Sequence, residues 1–245
     1  MKERPNEAAA TNNFEFDALR EARNYREALI REFSPFLKGN AIEIGAGIGQ
    51  ITELLRGLPA IGQLQAVEPD PEFCAMFRRA LPAQKLIQGT IEDMPAGTDL
   101  DSILSINVLE HIREDEAELC RYHKLLQKRN GTVNLFVPAR QEIYAPIDAD
   151  FGHHRRYSKP ELKRKLEQAG FEIVRLRYYN FAGYFAWWAT FCLLKKRQFN
   201  SGSVRFFDRV IFPCMFAFET RIMPPPFGQS LLAVARAVRQ TNEEN

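Results

Sequence analysis

The chain has 245 residues, of which 45% are hydrophobic, so it is long enough to bury the core of one α/β domain. Its 33 Lys and Arg residues nearly balance 31 Asp and Glu residues, and a net charge of +2 is too small for a dedicated nucleic-acid surface. The four cysteines lie far apart and form no Cys-x-x-Cys pair, which excludes a zinc-finger type of site.

The N-terminal part of the chain is polar and is predicted to be a flexible tail over residues 1–13, ahead of one domain over 14–240. It lacks the apolar stretch of a secretory signal, so we expect a cytoplasmic protein. A helix is predicted within 16–38, because apolar side chains such as Leu29 recur at helical spacing and the pattern stops before Pro35.

Five apolar runs that alternate with amphipathic segments follow this helix. They cover 41–44, 64–68, 85–89, 101–106 and 132–138. The alternation predicts parallel strands joined by crossover helices. Two later runs, at 171–179 and 230–238, complete a predicted α/β fold: a doubly wound, Rossmann-like, seven-stranded and mostly parallel sheet with helices on both faces.

The segment before the last strand is unusually aromatic. Residues 181–220 hold both tryptophans and nine of the nineteen phenylalanines. The stretch 181–194 has fourteen residues and no charge, is followed by Lys195-Lys196-Arg197, and is shorter than the roughly 20 residues that cross a bilayer. We predict a helical insertion over 181–228 that is a lid, a part of the core or a peripheral membrane contact, and we favour the lid.

One apolar face of a regular helix would collect five aromatic side chains of this insertion. They are Phe181, Tyr184, Phe185, Trp188 and Phe191. A further helix is predicted to begin at Ser158, because Ser158-Lys159-Pro160-Glu161 has the spacing of a capping box, and to end at Gly170.

The stretch AIEIGAGIGQIT (41–52) places a glycine turn between a buried strand and a helix, where a ligand can approach bare backbone. Gln50 stands where a nicotinamide-binding turn needs its third glycine, and the turn has no Lys followed by Ser or Thr, as a P-loop requires. The sequence therefore predicts a ligand without a pyrophosphate.

Two acids flank this turn. Glu68 ends the next strand, 23 residues beyond Gly45, close to the offset of about 20 at which an acid accepts the hydroxyls of a ribose. Glu43 lies directly before the turn and suits a cofactor that carries an ammonium and a sulfonium rather than phosphates. The pair predicts a cofactor with an adenosine-like ribose.

Four motifs resemble those of the class I S-adenosylmethionine-dependent methyltransferases, from about Tyr25 to Val238. They are EIGAGIG (43–49), EPDP (68–71), GTIEDMP (89–95) and INVLEHI (106–112). The resemblance implies S-adenosylmethionine as the cofactor, with Ile91 and Glu92 at the adenine ring. The implied cofactor-binding residues are Tyr25, Glu43, Gly45, Ala46, Gly47, Gly49, Glu68, Pro69, Thr90, Ile91, Glu92, Asn107 and Val108.

Methyl transfer from a sulfonium requires an aligned nucleophile and, for a hydroxyl, a group that accepts the proton. His153 in the stretch DADFGHHRRY (148–157) is our first candidate for this base, and His111 is the second. The stretch resembles a methyltransferase subgroup that has a Gly-His-Tyr-Arg-Arg-Tyr loop, with His154 at the first Tyr position. The predicted acceptor contacts are His154, Arg155, Tyr157 and Trp188. Arg155, Arg156 and Tyr157 could bind an acceptor carboxylate or phosphate or could instead pin the loop, and we favour pinning.

A metal site is the alternative for Glu110 and His111. Resemblance to quinone O-methyltransferases would make these two residues part of a magnesium site, but Asn107 stands where those enzymes carry a further acid. We therefore predict no metal.

The resulting hypothesis is a methyltransferase for a small, apolar or amphipathic acceptor, at oxygen before nitrogen. Nucleic acid is not expected as a substrate, because no Asn or Asp is followed by Pro-Pro-Tyr or Pro-Pro-Phe and strand four has no cysteine for attack on a pyrimidine. The alternative is a non-catalytic, methyltransferase-fold binding or scaffolding subunit whose aromatic segment docks a partner. The sequence leaves the oligomeric state open.

Overall fold

A computed structural model describes residues 21–95 and 97–239. The predicted tail 1–13, the predicted helical residues up to 20 and the last predicted domain residue, Gln240, lie outside the described residues.

Seven strands form one sheet. They are β1 (Gly39–Ile44), β2 (Ile61–Glu68), β3 (Lys85–Gln88), β4 (Ser102–Ile106), β5 (Thr132–Pro138), β6 (Phe171–Tyr179) and β7 (Ser230–Ala237). Their order is β3-β2-β1-β4-β5-β7-β6, with parallel pairing from β3 to β5 and antiparallel pairing of β7 with both neighbours. The predicted seven-stranded, mostly parallel sheet is confirmed, and β7 is the strand that is reversed.

Among the residues that the structure describes, six α-helices connect the strands or precede them. They are α1 (Arg23–Phe33), α2 (Gln50–Leu55), α3 (Pro71–Ala80), α4 (Asp115–Leu126), α5 (Pro146–Asp150) and α6 (Lys159–Gln168). The predicted capping box opens α6: the Glu161 N–H donates to Ser158 Oγ at 3.3 Å and the Ser158 N–H to the Glu161 carboxylate at 3.4 Å.

The sheet is covered on both faces. Neighbouring residues of a strand point to opposite faces, and Ile103 and Leu104 of β4 accordingly belong to two separate apolar clusters. The first cluster includes Tyr122 of α4 and Leu162 of α6, and the second includes Phe33 of α1. The sheet is therefore buried like the centre of a doubly wound fold.

The aromatic insertion between β6 and β7 is helical, as predicted. It consists of α7 (Phe181–Trp187), a π-helix (Trp188–Leu193), α8 (Ser201–Phe206), a second π-helix (Phe207–Ile211) and α9 (Phe212–Arg221). Across the described residues, no helix has the length and apolarity that a membrane span needs.

The single aromatic face predicted for 181–191 is wrong. Phe191 is 4% exposed, whereas Phe185 and Trp188 are 48% and 46% exposed. The inward side of this segment carries Gly183, Trp187 and Phe191, at intervals of four, and Phe185 and Trp188 lie on the other side. Trp187, and not Trp188, is the tryptophan that faces inward, at 7% exposed.

Two buried acids of the insertion tie it to the rest of the fold. The Asp208 carboxylate accepts hydrogen bonds from the backbone N–H groups of Asn24 and Tyr25, at 3.0 and 2.9 Å. The Glu219 carboxylate accepts from the backbone of Asn180 and Phe181, at 3.1 and 2.7 Å. Each acid satisfies amide groups at the first turn of a helix, α1 or α7, that have no partner within that helix.

Candidate active site

The glycine turn after β1 has the backbone that a close ligand approach requires. Gly45 and Gly49 have φ angles of +69° and +89°, in the left-handed region that favours glycine. A Cβ atom at Gly45 would overlap the side chain of Val108, which follows β4. The turn therefore stays narrow, and Gly49 leads directly into α2.

Glu68 supports the turn from the end of β2. Its carboxylate accepts hydrogen bonds from the backbone N–H groups of Gly47 at 2.8 Å and Asp70 at 2.9 Å, and the residue is 5% exposed. Burial raises the pKa of Glu68, and the two hydrogen bonds offset only part of this shift. Glu68 thus shapes the turn in addition to facing the cavity beside it.

Glu43 lies at the end of β1, is 4% exposed and accepts a hydrogen bond from the Thr52 hydroxyl. Burial raises the pKa of Glu43 to about 8, and the nearby charge of Glu68 adds to this shift. Ionised Glu43 is therefore costly without a cationic partner. A cationic ligand group beside it would stabilise the carboxylate and lower its pKa.

A cavity of about 300 Å³ opens beside the turn and the two acids. Eight predicted cofactor residues line it: Tyr25, Glu43, Gly45, Ala46, Glu68, Pro69, Asn107 and Val108. Gly47 and Gly49 belong to the same turn without lining the cavity.

The three residues predicted at the adenine edge lie elsewhere. Thr90 caps a short 3₁₀ helix over Ile91–Asp93, Ile91 is 4% exposed in the main apolar cluster, and Glu92 forms an ion pair with Arg121. None of the three lines the cavity. Their contact with an adenine ring stays a prediction.

A second cavity, of about 700 Å³, lies under the insertion. Its aromatic lining consists of Tyr25, Phe136, Phe151, Trp187, Phe191, Phe199, Phe206 and Phe207. Four residues line both cavities: Tyr25, Asn107, Phe136 and Phe151. The two cavities therefore adjoin, and Asn107, with φ at +51°, is held at their junction in a backbone conformation that asparagine tolerates better than most residues.

His153 reaches the second cavity from the loop after α5. Its Nδ1 lies 3.0 Å from Asp148 Oδ1, which also accepts hydrogen bonds from Arg156 Nε at 2.9 Å and Nη2 at 2.8 Å. Burial raises the pKa of Asp148, but the hydrogen bond from His153 and the charge of Arg156 outweigh burial and leave it lowered. An ionised Asp148 holds the proton on Nδ1, which leaves Nε2 as the basic nitrogen of His153.

The second candidate base, His111, is adjacent to the first. The two imidazole rings meet edge to face with centroids 4.7 Å apart. Burial, with smaller contributions from His153 and His154, lowers the pKa of His111 to about 4, so His111 is neutral at pH 7. The two candidate bases, which the sequence treated as separate alternatives, therefore form one histidine pair. His111 lines the first cavity and His153 lines the second.

Glu110 completes this cluster. Glu110, His111 and His153 each offer one atom able to bind a metal, all within 4.8 Å of one another, and His153 Nε2 lies 3.9 Å from Glu110 Oε1. The set can accept a proton, or it can provide two imidazoles and a carboxylate to a divalent cation. The sequence has Asn107 where a third metal ligand was expected. The third possible ligand is His153, on the loop after α5, which is distant in the chain from Glu110 and His111.

The four residues predicted as acceptor contacts line neither cavity, and their contact with an acceptor stays a prediction. Tyr157 is completely buried, and its hydroxyl donates to Asp115 at 2.8 Å. Arg155 pairs with Asp115 at 2.8 Å, so both residues pin the loop. His154 is exposed and donates its backbone N–H to the Glu110 carbonyl, and Trp188 is exposed on the outer side of the insertion.

Their neighbours in sequence take the places at the cavity. Arg156 is 3% exposed, and its guanidinium lies 4.4 Å from the ring centroid of Trp187. Trp187 donates Nε1–H to the Ile143 carbonyl at 3.0 Å and lines the second cavity. The Arg155-Arg156 and Trp187-Trp188 pairs lie in segments that do line the second cavity. Which member of each pair faces inward depends on the fold.

Comparison with known proteins points to the same part of the chain. Residues 42–133 match the family model described as a methyltransferase domain. A search of curated proteins found no match.

Three solved structures illustrate the likeness in fold. A chain from the Haloferax volcanii complex that contains the Trm112 methyltransferase activator has a TM-score of 0.63 and 17% identity, over 97% of this chain and 100% of that chain. A SAM-dependent methyltransferase from Archaeoglobus fulgidus gives 0.55 and 17%, over 86% and 92%. The DhpI–SAH complex gives 0.54 and 17%, over 87% and 84%. The predicted fold is confirmed, and the family match over the glycine turn supports S-adenosylmethionine as the cofactor.

Proposed function

We propose that this chain is an S-adenosylmethionine-dependent methyltransferase that acts on a small, apolar or amphipathic acceptor, at oxygen in preference to nitrogen. The observation that carries the proposal is the junction of the two cavities at Tyr25, Asn107, Phe136 and Phe151. A cofactor bound beside the glycine turn and an acceptor bound under the insertion would meet there. We expect a cytoplasmic location and no nucleic-acid partner.

The residues of the first cavity suit this cofactor. Glu68 would accept the ribose hydroxyls, and Glu43 would face the cationic methionine end. When bound, the cofactor supplies a methyl group on a sulfonium. A buried acid whose pKa is raised to about 8 favours such a cation, because pairing relieves the cost of its own charge.

The residues of the second cavity suit an apolar acceptor with one polar group. Its aromatic walls exclude water from the junction, and His153 lies at the wall with its proton-accepting Nε2 away from Asp148. When the acceptor oxygen takes the methyl group and the carbon–sulfur bond breaks to leave the demethylated thioether, His153 Nε2 would accept the hydroxyl proton. Asp148 would then stabilise the imidazolium that forms.

The experiment that tests the proposal is a cofactor titration followed by a transfer assay. Calorimetry should show binding of S-adenosylmethionine and of its demethylated product, and no binding of NAD. Incubation with cofactor labelled in its methyl group and a cell extract should then place label in small molecules that partition into organic solvent. Absence of cofactor binding would refute the proposal.

The non-catalytic alternative keeps one point in its favour, since a structure of the same fold comes from a complex with a methyltransferase activator. Glu68 would still shape the glycine turn of a scaffolding subunit, but such a subunit has no physical need for a second buried acid, Glu43, beside it. Cofactor binding without label transfer to any fraction, in the presence of extract, would favour this alternative.

A further inference from the structure

The outer side of the insertion carries most of the exposed large apolar side chains among the described residues. Ten of thirteen lie between residues 185 and 223. They are Phe185, Trp188, Leu193, Leu194, Phe206, Val210, Ile211, Phe218, Ile222 and Met223. Such a concentration marks a surface that contacts something other than water.

Part of this surface is a stripe along the continuous helical run 201–221 and the turn residue that follows it, here called the outer stripe. It consists of Phe206, Val210, Cys214, Phe218 and Ile222, which follow one another at intervals of four and are all exposed. Asp208, Phe212 and Glu219 are buried on the opposite side, toward α1 and α7. The helical run therefore has two sides with apolar residues. One side packs against the rest of the fold and the other is exposed to solvent.

All exposed charges of the insertion are positive. Its two acids, Asp208 and Glu219, are buried, whereas its six basic residues are exposed. The basic residues are Lys195, Lys196, Arg197, Arg205, Arg209 and Arg221. Arg205, Arg209 and Arg221 each directly precede a member of the outer stripe, so positive charge runs beside the apolar stripe.

From this combination we propose that the outer face of the insertion docks on the surface of an anionic lipid bilayer. Exposed apolar side chains interleaved with Lys and Arg, with a tryptophan among them, are the composition of helices that lie in the membrane interface. Arg197 and Arg205 pair with Asp150 and Glu21 of the rest of the fold, which leaves Lys195, Lys196, Arg209 and Arg221 for anionic head groups. The helices would rest on the bilayer without spanning it.

A second copy of the chain is a poor occupant of the same face. A two-fold symmetric contact would bring the same basic residues of two copies together, with no exposed acid on either insertion to compensate them. A protein partner fits less well than a bilayer, because the cores of protein interfaces are depleted in Lys.

The docked face also leads to the second cavity. Lys196, Phe206 and Ile211 are exposed on the outer side and line that cavity as well. Resting on the proposed function, this means that the acceptor is a membrane-dissolved amphipathic molecule that enters from the bilayer. Docking itself needs neither cofactor nor methyl transfer.

The test is sedimentation of the full chain with vesicles of phosphatidylcholine, with and without phosphatidylglycerol. We expect binding to the anionic vesicles, and loss of that binding as salt is added. Arg209→Glu/Arg221→Glu should weaken it by about tenfold or more, and Phe218→Ser/Ile222→Ser should weaken it at every salt concentration. Met76→Ser/Lys85→Glu, at exposed positions on α3 and β3, is the matched control and should bind like the wild type.

A thermal melt of each variant reports whether it folds, and if the Phe218/Ile222 variant does not fold, the Arg209/Arg221 variant decides. Equal binding to neutral and anionic vesicles, no binding, or unchanged binding by a folded double variant would overturn the proposal. So would a wild-type dimer that the Phe218→Ser/Ile222→Ser change dissociates. Because vesicle binding is measured without cofactor, its failure is distinct from a failure of methyl transfer.

Discussion

His153 is held through Nδ1 by the buried carboxylate of Asp148, at 3.0 Å, five residues earlier in the chain. The same carboxylate pairs with Arg156, which packs on Trp187. The candidate base and one wall of the acceptor cavity are therefore positioned by one ion pair. Loss of Asp148 would disturb both.

We predict that His153→Ala lowers kcat by about a hundredfold or more, the usual cost of removing a general base, and leaves cofactor affinity unchanged. The reason is that His153 lines the second cavity and not the first. The matched control is His154→Ala, because His154 is exposed and lines neither cavity. If His111→Ala lowers kcat and His153→Ala does not, the general base is His111.

Glu68→Ala is expected to weaken S-adenosylmethionine binding by roughly 2 to 4 kcal/mol, as a charged acceptor of two hydrogen bonds is removed. The structure adds a second cause, because the Gly47 and Asp70 N–H groups lose their acceptor. Calorimetry measures the change, with exposed Glu72→Ala on α3 as the control. Unchanged affinity would mean that another residue binds the ribose.

The raised pKa of Glu43 predicts a pH dependence. In the cofactor-free fold Glu43 keeps its proton up to about pH 8, whereas in the unfolded chain it releases the proton near its ordinary value of 4.5. The unfolded state thus binds fewer protons between these values, so stability falls as pH rises from 4.5 to 8. Thermal melts across this range should show the decline in the wild type and a flatter profile in Glu43→Gln.

Cofactor affinity should instead rise with pH, because a cationic ligand group pairs only with ionised Glu43. Below pH 8, binding of the cofactor must displace the proton of Glu43. Calorimetry in buffers of different ionisation enthalpy would detect that proton release. Glu53→Gln, at an exposed position of α2, should leave both profiles unchanged. Affinity independent of pH would place the ammonium away from Glu43.

Trp187→Ala should raise the acceptor KM and lower stability by about 3 to 5 kcal/mol, as for other buried aromatic residues changed to Ala. It removes a cavity wall, the Arg156 contact and the hydrogen bond to Ile143. Trp188→Ala is the matched control and should change neither, because Trp188 is 46% exposed and lines no cavity. The reverse result would assign the acceptor contact to Trp188.

The predicted lack of a metal requirement can be tested on the cluster of Glu110, His111 and His153. Activity should survive treatment with a chelator, with proton transfer carried by the histidines alone. Added Mn²⁺ or Zn²⁺ should neither stimulate transfer nor bind stoichiometrically by calorimetry. Metal binding that Glu110→Gln abolishes would instead show that the cluster is a metal site.

The sequence by itself determined the features that depend on neighbouring residues. The glycine turn and the capping box at Ser158 were predicted correctly in position, because backbone conformation and hydrogen bonding within a few residues set them. The acids Glu43 and Glu68 were placed beside the turn because they stand at the ends of two successive parallel strands, which meet at one edge of the sheet. The seven strands were predicted within about three residues at each end, because each is a short apolar run between polar segments.

Tertiary structure decided everything that joins distant segments. His111 and His153 are 42 positions apart in the chain, and only the arrangement of β4 and the loop after α5 brings their rings to 4.7 Å. The inward position of Trp187 depends on the packing of α7 against Ile143, 44 positions earlier in the chain, and the reversal of β7 depends on how the insertion returns the chain to the sheet. The sequence alone does not identify the outer stripe, because apolar residues at intervals of four are equally typical of a buried helix face. The structure shows which side of the helical run is buried and therefore that the stripe is exposed.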